Sequence, residues 1–213
     1  RYPEMSRGLG DVYKRQGKRG VIGLPLGLNM YENLFFWEAF FRNLDFDIVV
    51  SDLSSRALYA KGQYSVPSDT ACYPAKLMHG HIENLLDKGV TTIFYPCMSY
   101  NFDESKGDNH FNCPVVAYYP ELLASNVEKL KQVRYLYPYL DLAERKTFPK
   151  KIWQALKEYY PDLTLREVKR ASDCAYESYH RQREQVKEEG RKALEFARQK
   201  GLKTIILCGR PYH

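Results

Sequence analysis

Residues 68–86, SDTACYPAKLMHGHIENLL, bring together side chains that bind metals or attack carbonyls: Cys72, His79 and His81. The two histidines lie two residues apart, so on a helix they project about 200° apart and cannot share one ion. One of them is expected to be a satisfied, partly buried side chain. His79 stands two helical turns beyond Cys72, about 10 Å of rise, too far for a thiol and imidazole pair. The cysteine is therefore the group to follow. Four more, Cys97, Cys113, Cys174 and Cys208, make an odd number at irregular spacing. That pattern suits reduced thiols or metal ligands better than a disulfide framework, and points to a reducing, cytoplasmic setting.

The elements around each cysteine decide which of them can work together. Ser68, Asp69 and Thr70 precede Cys72 and Pro74 follows it, the signature of a helix N-terminus, where the dipole favours a thiolate. Cys97 comes directly after TTIFYP, at the carboxyl end of an expected strand, the edge where open sheets build their sites. Cys113 closes the loop CMSYNFDESKGDNHFN, and a long polar loop inside a compact domain is usually functional. Because PVVAYY reads as the next strand, Cys113 falls near the opposite edge unless the loop folds back. Cys174 sits within a long helical pattern and Cys208 within an apolar strand, and both read as buried small hydrophobes.

From Lys18 onward, short β-branched or aromatic runs alternate with helical patterns. The strands expected are GVIGLP, FDIVVSD, TTIFYP, PVVAYY and one within QVRYLYPYL. The helices include YENLFFWEAFFRNL, with Leu34, Trp37, Phe40 and Phe41 on one face, a short SSRALYAKG, and CYPAKLMHGHIENLLDKG stopped by Gly89. FPKKIWQALKEYY and residues 164–200 are helical, and KTIILCGRPYH begins another strand. The fold class is α/β: a mostly parallel sheet with flanking helices, a Rossmann-like unit over 18–145. A helical bridge over 146–201 leads into 202–213, the first strand of a second, truncated α/β unit.

The chain carries a formal charge of +6, of which residues 1–16 contribute +2. That leader, RYPEMSRGLGDVYKRQ, has neither apolar periodicity nor a cap, and SRGLGDVYKRQ resembles the translation of a transposase adaptor used in sequencing libraries. GLGDVYKRQGKRG mimics a phosphate loop but lacks the required spacing and follows no strand. The remaining basic residues alternate with acids, as in RQREQVKEEGRKALEFARQKG, a solvated helix face that argues against nucleic acid. No apolar run approaches the roughly 20 residues of a membrane span. An adaptor-like start and a mid-unit end are those of a fragment of a longer reading frame.

IGLPLGLNMYENLFFWEAFF, VVSDLSS, VPSDTACYPAKLMHGHIENLLDKGV, IFYPC, HFNCPVV and GRPYH together resemble the 2-hydroxyacyl-CoA dehydratase superfamily, and its activase-related branch in particular. There, this domain follows activator-type ATPase domains. The resemblance spans about Gly20 to His213, most specifically in CYPAKLMHGH and GRPYH. It implies an α/β unit that joins a second similar unit to hold a [4Fe–4S] cluster, Cys72 and Cys97 matching the first two cluster cysteines. Cys113 is the third candidate, and whether it stands in for a ligand from elsewhere is open. Soft thiolates on rigid element ends suit such a cluster. The implied function is an iron–sulfur electron-transfer or reductase component of a dehydratase or activase-like system. Its expected partners are an ATP-driven activator, an acyl-CoA substrate and a second copy of the chain. Two other readings stand beside it: a regulatory or assembly domain with zinc or no metal at Cys72 and Cys97, and a small-ligand binder using the loop from Leu26 to Tyr31.

Overall fold

A computed structural model describes residues 17–209 except 104 and 106. The adaptor-like leader and most of GRPYH lie outside these residues. The first strand, β1 (Val21–Leu24), runs beside β2 (Asp47–Val50), β3 (Thr92–Phe94) and β5 (Arg134–Leu136) in one sheet of order β2-β1-β3-β5, every pairing parallel. Two short strands, β4 (Cys97–Met98) and β6 (Tyr139–Leu140), pair in parallel just beyond the carboxyl ends of β3 and β5. The α/β class read from the alternating pattern is therefore the architecture found. Apolar runs without polar alternation, such as TIF in β3, are buried on both faces, as parallel strands between helix layers must be.

The expected helix at 31–44 starts earlier and breaks once, giving α1 (Leu28–Glu32) and α2 (Leu34–Arg42) joined at Asn33. Phe36, Trp37, Phe40 and Phe41 on α2 are buried among Phe94 and Phe148, with edge-on and tilted rings at 4.8–6.4 Å. Such rings contribute packing beyond simple area burial. Next come α3 (Arg56–Gly62), capped by Ser55 Oγ, and α4 (Tyr73–Asp87). These two helices cross with backbones in contact: a Cβ on Gly62 would strike His79 and Gly80, and one on Gly80 would strike the Leu58 carbonyl.

Two expected strands are not found among the described residues. PVVAYY belongs to a helix, α5 (Pro114–Asn126). Its buried residues Val116, Ala117, Tyr119, Pro120 and Leu123 follow the i, i+3, i+4, i+7 spacing of a helix, and Pro114 occupies the first helical position, where its missing N–H costs nothing. The apolar run expected as a strand at 203–208 makes no sheet pairing, and Ile205, Ile206 and Leu207 are exposed. Cys208, expected in a buried strand, is exposed with it.

The last helices, α6 (Phe148–Leu156) and α7 (Leu165–Gln199), begin as expected. A capping box between Thr164 and Glu167 starts α7. Its first half buries Val168, Ala171, Ala175, Tyr176 and Tyr179, with Tyr176 against Phe36 and Phe148. Beyond Tyr179 its outer half is solvated and threaded with i, i+3 ion pairs such as Arg191 to Glu188. The helical region is thus half core and half projection.

Candidate functional site

The three candidate cysteines each stand at the start of an element: Cys72 before α4, Cys97 in β4, and Cys113 before α5. Cys72 is the N-cap residue of α4, in an extended conformation, with its carbonyl accepting from Ala75 and Lys76 N–H at 3.0 and 3.1 Å. Its thiol makes no capping bond and is exposed, free to face a ligand or partner. Cys97 opens β4, donates its N–H to Pro138 O at 2.9 Å and is 1% exposed. Burial pushes its thiol up to about 11, against the pull of the Glu121 backbone N–H. Cys97 is therefore a protonated thiol at neutral pH.

Cys113 is placed differently from the strict-sheet expectation. The loop after β4 doubles back: Asn101 N–H reaches His110 O at 3.1 Å, Tyr100 bridges Phe111, and Asn112 binds Ser99 O and Met98 O at 2.8 Å each. Cys113 consequently returns beside β4 and becomes the N-cap residue of α5, half-buried. Because 114–119 form a helix rather than a strand, the opposite-edge placement does not arise. α5 begins with Cys113, supplies the Glu121 N–H that faces the Cys97 thiol, and carries Tyr119, whose hydroxyl is raised to about 12 by burial and then by the charge of Cys72.

Behind Cys72, Tyr119 belongs to a closed network that fixes a tautomer. Ser65 Oγ donates to Gly62 O at 3.0 Å, so it accepts from His79 Nδ1–H at 2.7 Å, and His79 Nε2 accepts the Tyr119 O–H at 3.1 Å. His81 faces the other way, as its spacing requires, with Ser51 Oγ at 2.8 Å from Nδ1 and Ser54 Oγ at 3.0 Å from Nε2. Burial holds both imidazoles down at about 4, so both are neutral. Neither is a ligand with Cys72; both are satisfied core histidines where one was expected.

The donor set is right in kind for a soft metal centre, but it is open rather than closed. Among the described residues, no three His, Cys, Asp or Glu side chains are grouped to hold a metal ion. Two thiols at helix N-caps and one buried at a strand end are soft donors of the kind such a centre takes. Cys174, half-buried on α7, and exposed Cys208 lie in other elements. Among the described residues no helix is long and apolar enough to cross a membrane.

Sequence reasoning named the loop from Leu26 to Tyr31, which holds Asn29, as a ligand-binding candidate, but missed Tyr119, whose role depends on α5, and Asn33 and Asn101. The spacing of Asn29, Asn33 and Trp37 at i, i+4 and i+8 was the available signal. Residues 21–213 match the family described as the CoA enzyme activase uncharacterised domain, in line with the activase-related resemblance. Comparisons with curated proteins and with solved structures gave no match.

Proposed function

The chain belongs to the CoA enzyme activase uncharacterised-domain family, and from that premise we propose that it is the iron–sulfur electron-transfer or reductase component of a 2-hydroxyacyl-CoA dehydratase or activase-like system. What supports this reading is that each of the three cysteines has a link to α5: Cys113 is its N-cap residue, the Cys97 thiol faces its Glu121 N–H, and Cys72 acts electrostatically on its Tyr119. A [4Fe–4S] cluster, when bound, supplies one-electron transfer at low potential. Cys72 and Cys113 would offer thiolates from helix N-caps, where the helix dipole supports negative charge. Cys97 would surrender its proton on ligation, with the Glu121 N–H left to support the thiolate.

An ATP-driven activator is the partner this reading requires, with an acyl-CoA as substrate and a second copy of the chain as further expected partners, in an anaerobic cytoplasm. The exposed run of Leu202, Ile205, Ile206 and Leu207 suits the first strand of a second α/β unit, reached through the helical bridge of 146–201 from the unit at 18–145. Such a unit would contribute the remaining cluster ligands. One observation favours a second reading, a regulatory or assembly domain without a cluster: the absence, among the described residues, of a three-ligand metal group.

Cysteine variants separate the two. After anaerobic reconstitution with the activator present, Cys72→Ser and Cys97→Ser are each expected to abolish the absorbance near roughly 400 nm from thiolate-to-iron charge transfer, and Cys174→Ser to leave it intact. Loss in Cys113→Ser makes this domain the source of three ligands; retention places the third elsewhere. A normal spectrum in all four variants, or none in the wild type, rejects the cluster.

A further inference from the structure

The sheet order β2-β1-β3-β5 puts the topological switch point between β1 and β3, whose carboxyl ends open the crevice where α/β sheets bind ligands. Three features of the β1 side converge there. Gly27 packs on Met78 and the His81 ring so closely that a Cβ would displace the Met78 sulfur and crowd the ring. Leu28 is held at φ 47°, a left-handed conformation that costs a branched side chain energy and collects at functional sites. Asn29, 1% exposed, has no hydrogen-bond partner for either its Nδ2 or its Oδ1.

Asn29 is the first of a row. Backbone bonds from Asn33 N to Asn29 O and from Trp37 N to Asn33 O, at 3.0 and 3.1 Å, carry helical geometry across the α1–α2 junction. Asn29, Asn33 and Trp37 therefore stack on one face. Asn33 Oδ1 and Trp37 Nε1 are likewise buried and unpartnered. Asn33 Nδ2 donates to Asn101 Oδ1 at 3.2 Å, and Asn101 Nδ2 donates to Glu32 at 3.1 Å. Asn101 in turn lines an open cavity of about 260 Å³ whose wall includes Asp103, Asn109, His110, Phe111 and Asn112, Asp103 being a second carboxylate that disfavours an anion. A polar track thus leads from this cavity, on the β3 side of the crevice, to the buried asparagines on the β1 side.

We propose that this track is a binding site for a small neutral molecule bearing a carboxamide or similar amide group. Unpaired buried polar atoms are costly, and water, an ion or a ligand is what completes them where a chain retains them. The free valences are mixed: Asn29 Oδ1 and Asn33 Oδ1 call for donors, whereas Asn29 Nδ2 and Trp37 Nε1 call for acceptors. A carboxylate satisfies only the second pair and meets Glu32 behind Asn101; an ammonium satisfies only the first. An amide satisfies both without burying a charge. The site is independent of the cysteines and goes beyond the electron-transfer role.

The test is a titration of the 213-residue chain with acetamide, acetate and methylammonium, followed by ¹H–¹⁵N spectra of the Trp37 indole and Asn29 amide groups. Acetamide is expected to shift both signals saturably, and the two ions to leave them in place. Asn29→Leu is expected to abolish the response while raising the melting midpoint by about 2–4 °C, since an apolar group of similar shape replaces two unpaired polar atoms. Asn109→Ala, exposed at the cavity, should weaken acetamide severalfold without moving the midpoint and decides the matter if Asn29→Leu fails to fold. No saturable acetamide shift, an equal response to acetate, or a lower midpoint in Asn29→Leu overturns the proposal, the last by marking the amide as a structural group served by internal water.

Discussion

His79 and His81 on α4 are as deeply buried as Asn29 and Asn33 at the α1–α2 junction, all within 1% exposure, yet the chain treats the two pairs in opposite ways. Each histidine has both ring nitrogens engaged, by Ser65 and Tyr119 in one case and by Ser51 and Ser54 in the other. The asparagines keep three of their four amide atoms unpaired. Burial alone does not distinguish structure from function. What distinguishes them is whether the chain supplies the partners: the histidines bind α4 to its neighbours, and the asparagines leave three amide atoms that the chain does not pair.

Removing a member of the closed network should have the largest effect. His79→Leu leaves Tyr119 Oη without its partner in the core, and Ser65 Oγ with Gly62 O alone, and is expected to cost about 2–4 kcal/mol in urea unfolding. A loss under about 0.5 kcal/mol would show the network to be dispensable. Protonation challenges the same network more gently. Both imidazoles titrate at about 4 when folded, lowered chiefly by burial and partly opposed by Glu83 and Asp52, against an ordinary value of 6.5. Above pH 6.5 both are neutral folded or unfolded, and their contribution is complete. Between about 6.5 and 4 the unfolded chain takes up protons that the folded one refuses, so stability falls with pH by about 1.4 kcal/mol per unit for each histidine. In His79→Leu that slope should be halved; an unchanged slope would assign the pH dependence to other groups. The smallest effect belongs to the outer half of α7, where Glu188→Ala removes only the exposed pair with Arg191 and should leave the melting midpoint unmoved.

How much of this was legible in the sequence depended on the range of the forces involved. The strands at β1, β2 and β3 and the N-cap position of Cys72 follow from local patterning, and the sequence shows them directly. PVVAYY misled because Val115, Val116 and the tyrosines favour strands over a short window; the helical spacing emerges only when Leu123 is counted with Val116, Tyr119 and Pro120. KTIILC has the propensity of a strand, but a strand forms only beside a partner, and the described residues give it none. The return of Cys113 to the edge depended on Asn101 meeting His110 and Asn112 meeting Ser99, pairings between loop residues that leave no periodic trace. The tautomer of His79 required knowing that Ser65 already donates to Gly62.

The comparison of closed and open groups extends to the thiols, since the exposed Cys72 and half-buried Cys113 make no closed ligand group with Cys97. The most direct measurement of the central claim is the iron and acid-labile sulfide content of this domain, purified anaerobically in one polypeptide with its activator ATPase and a second α/β unit. The expected result is about four iron and four sulfide per chain, as one [4Fe–4S] cluster requires, falling to background in Cys72→Ser. Stoichiometric zinc, or a stable protein free of metal, would contradict it and leave the regulatory reading in its place.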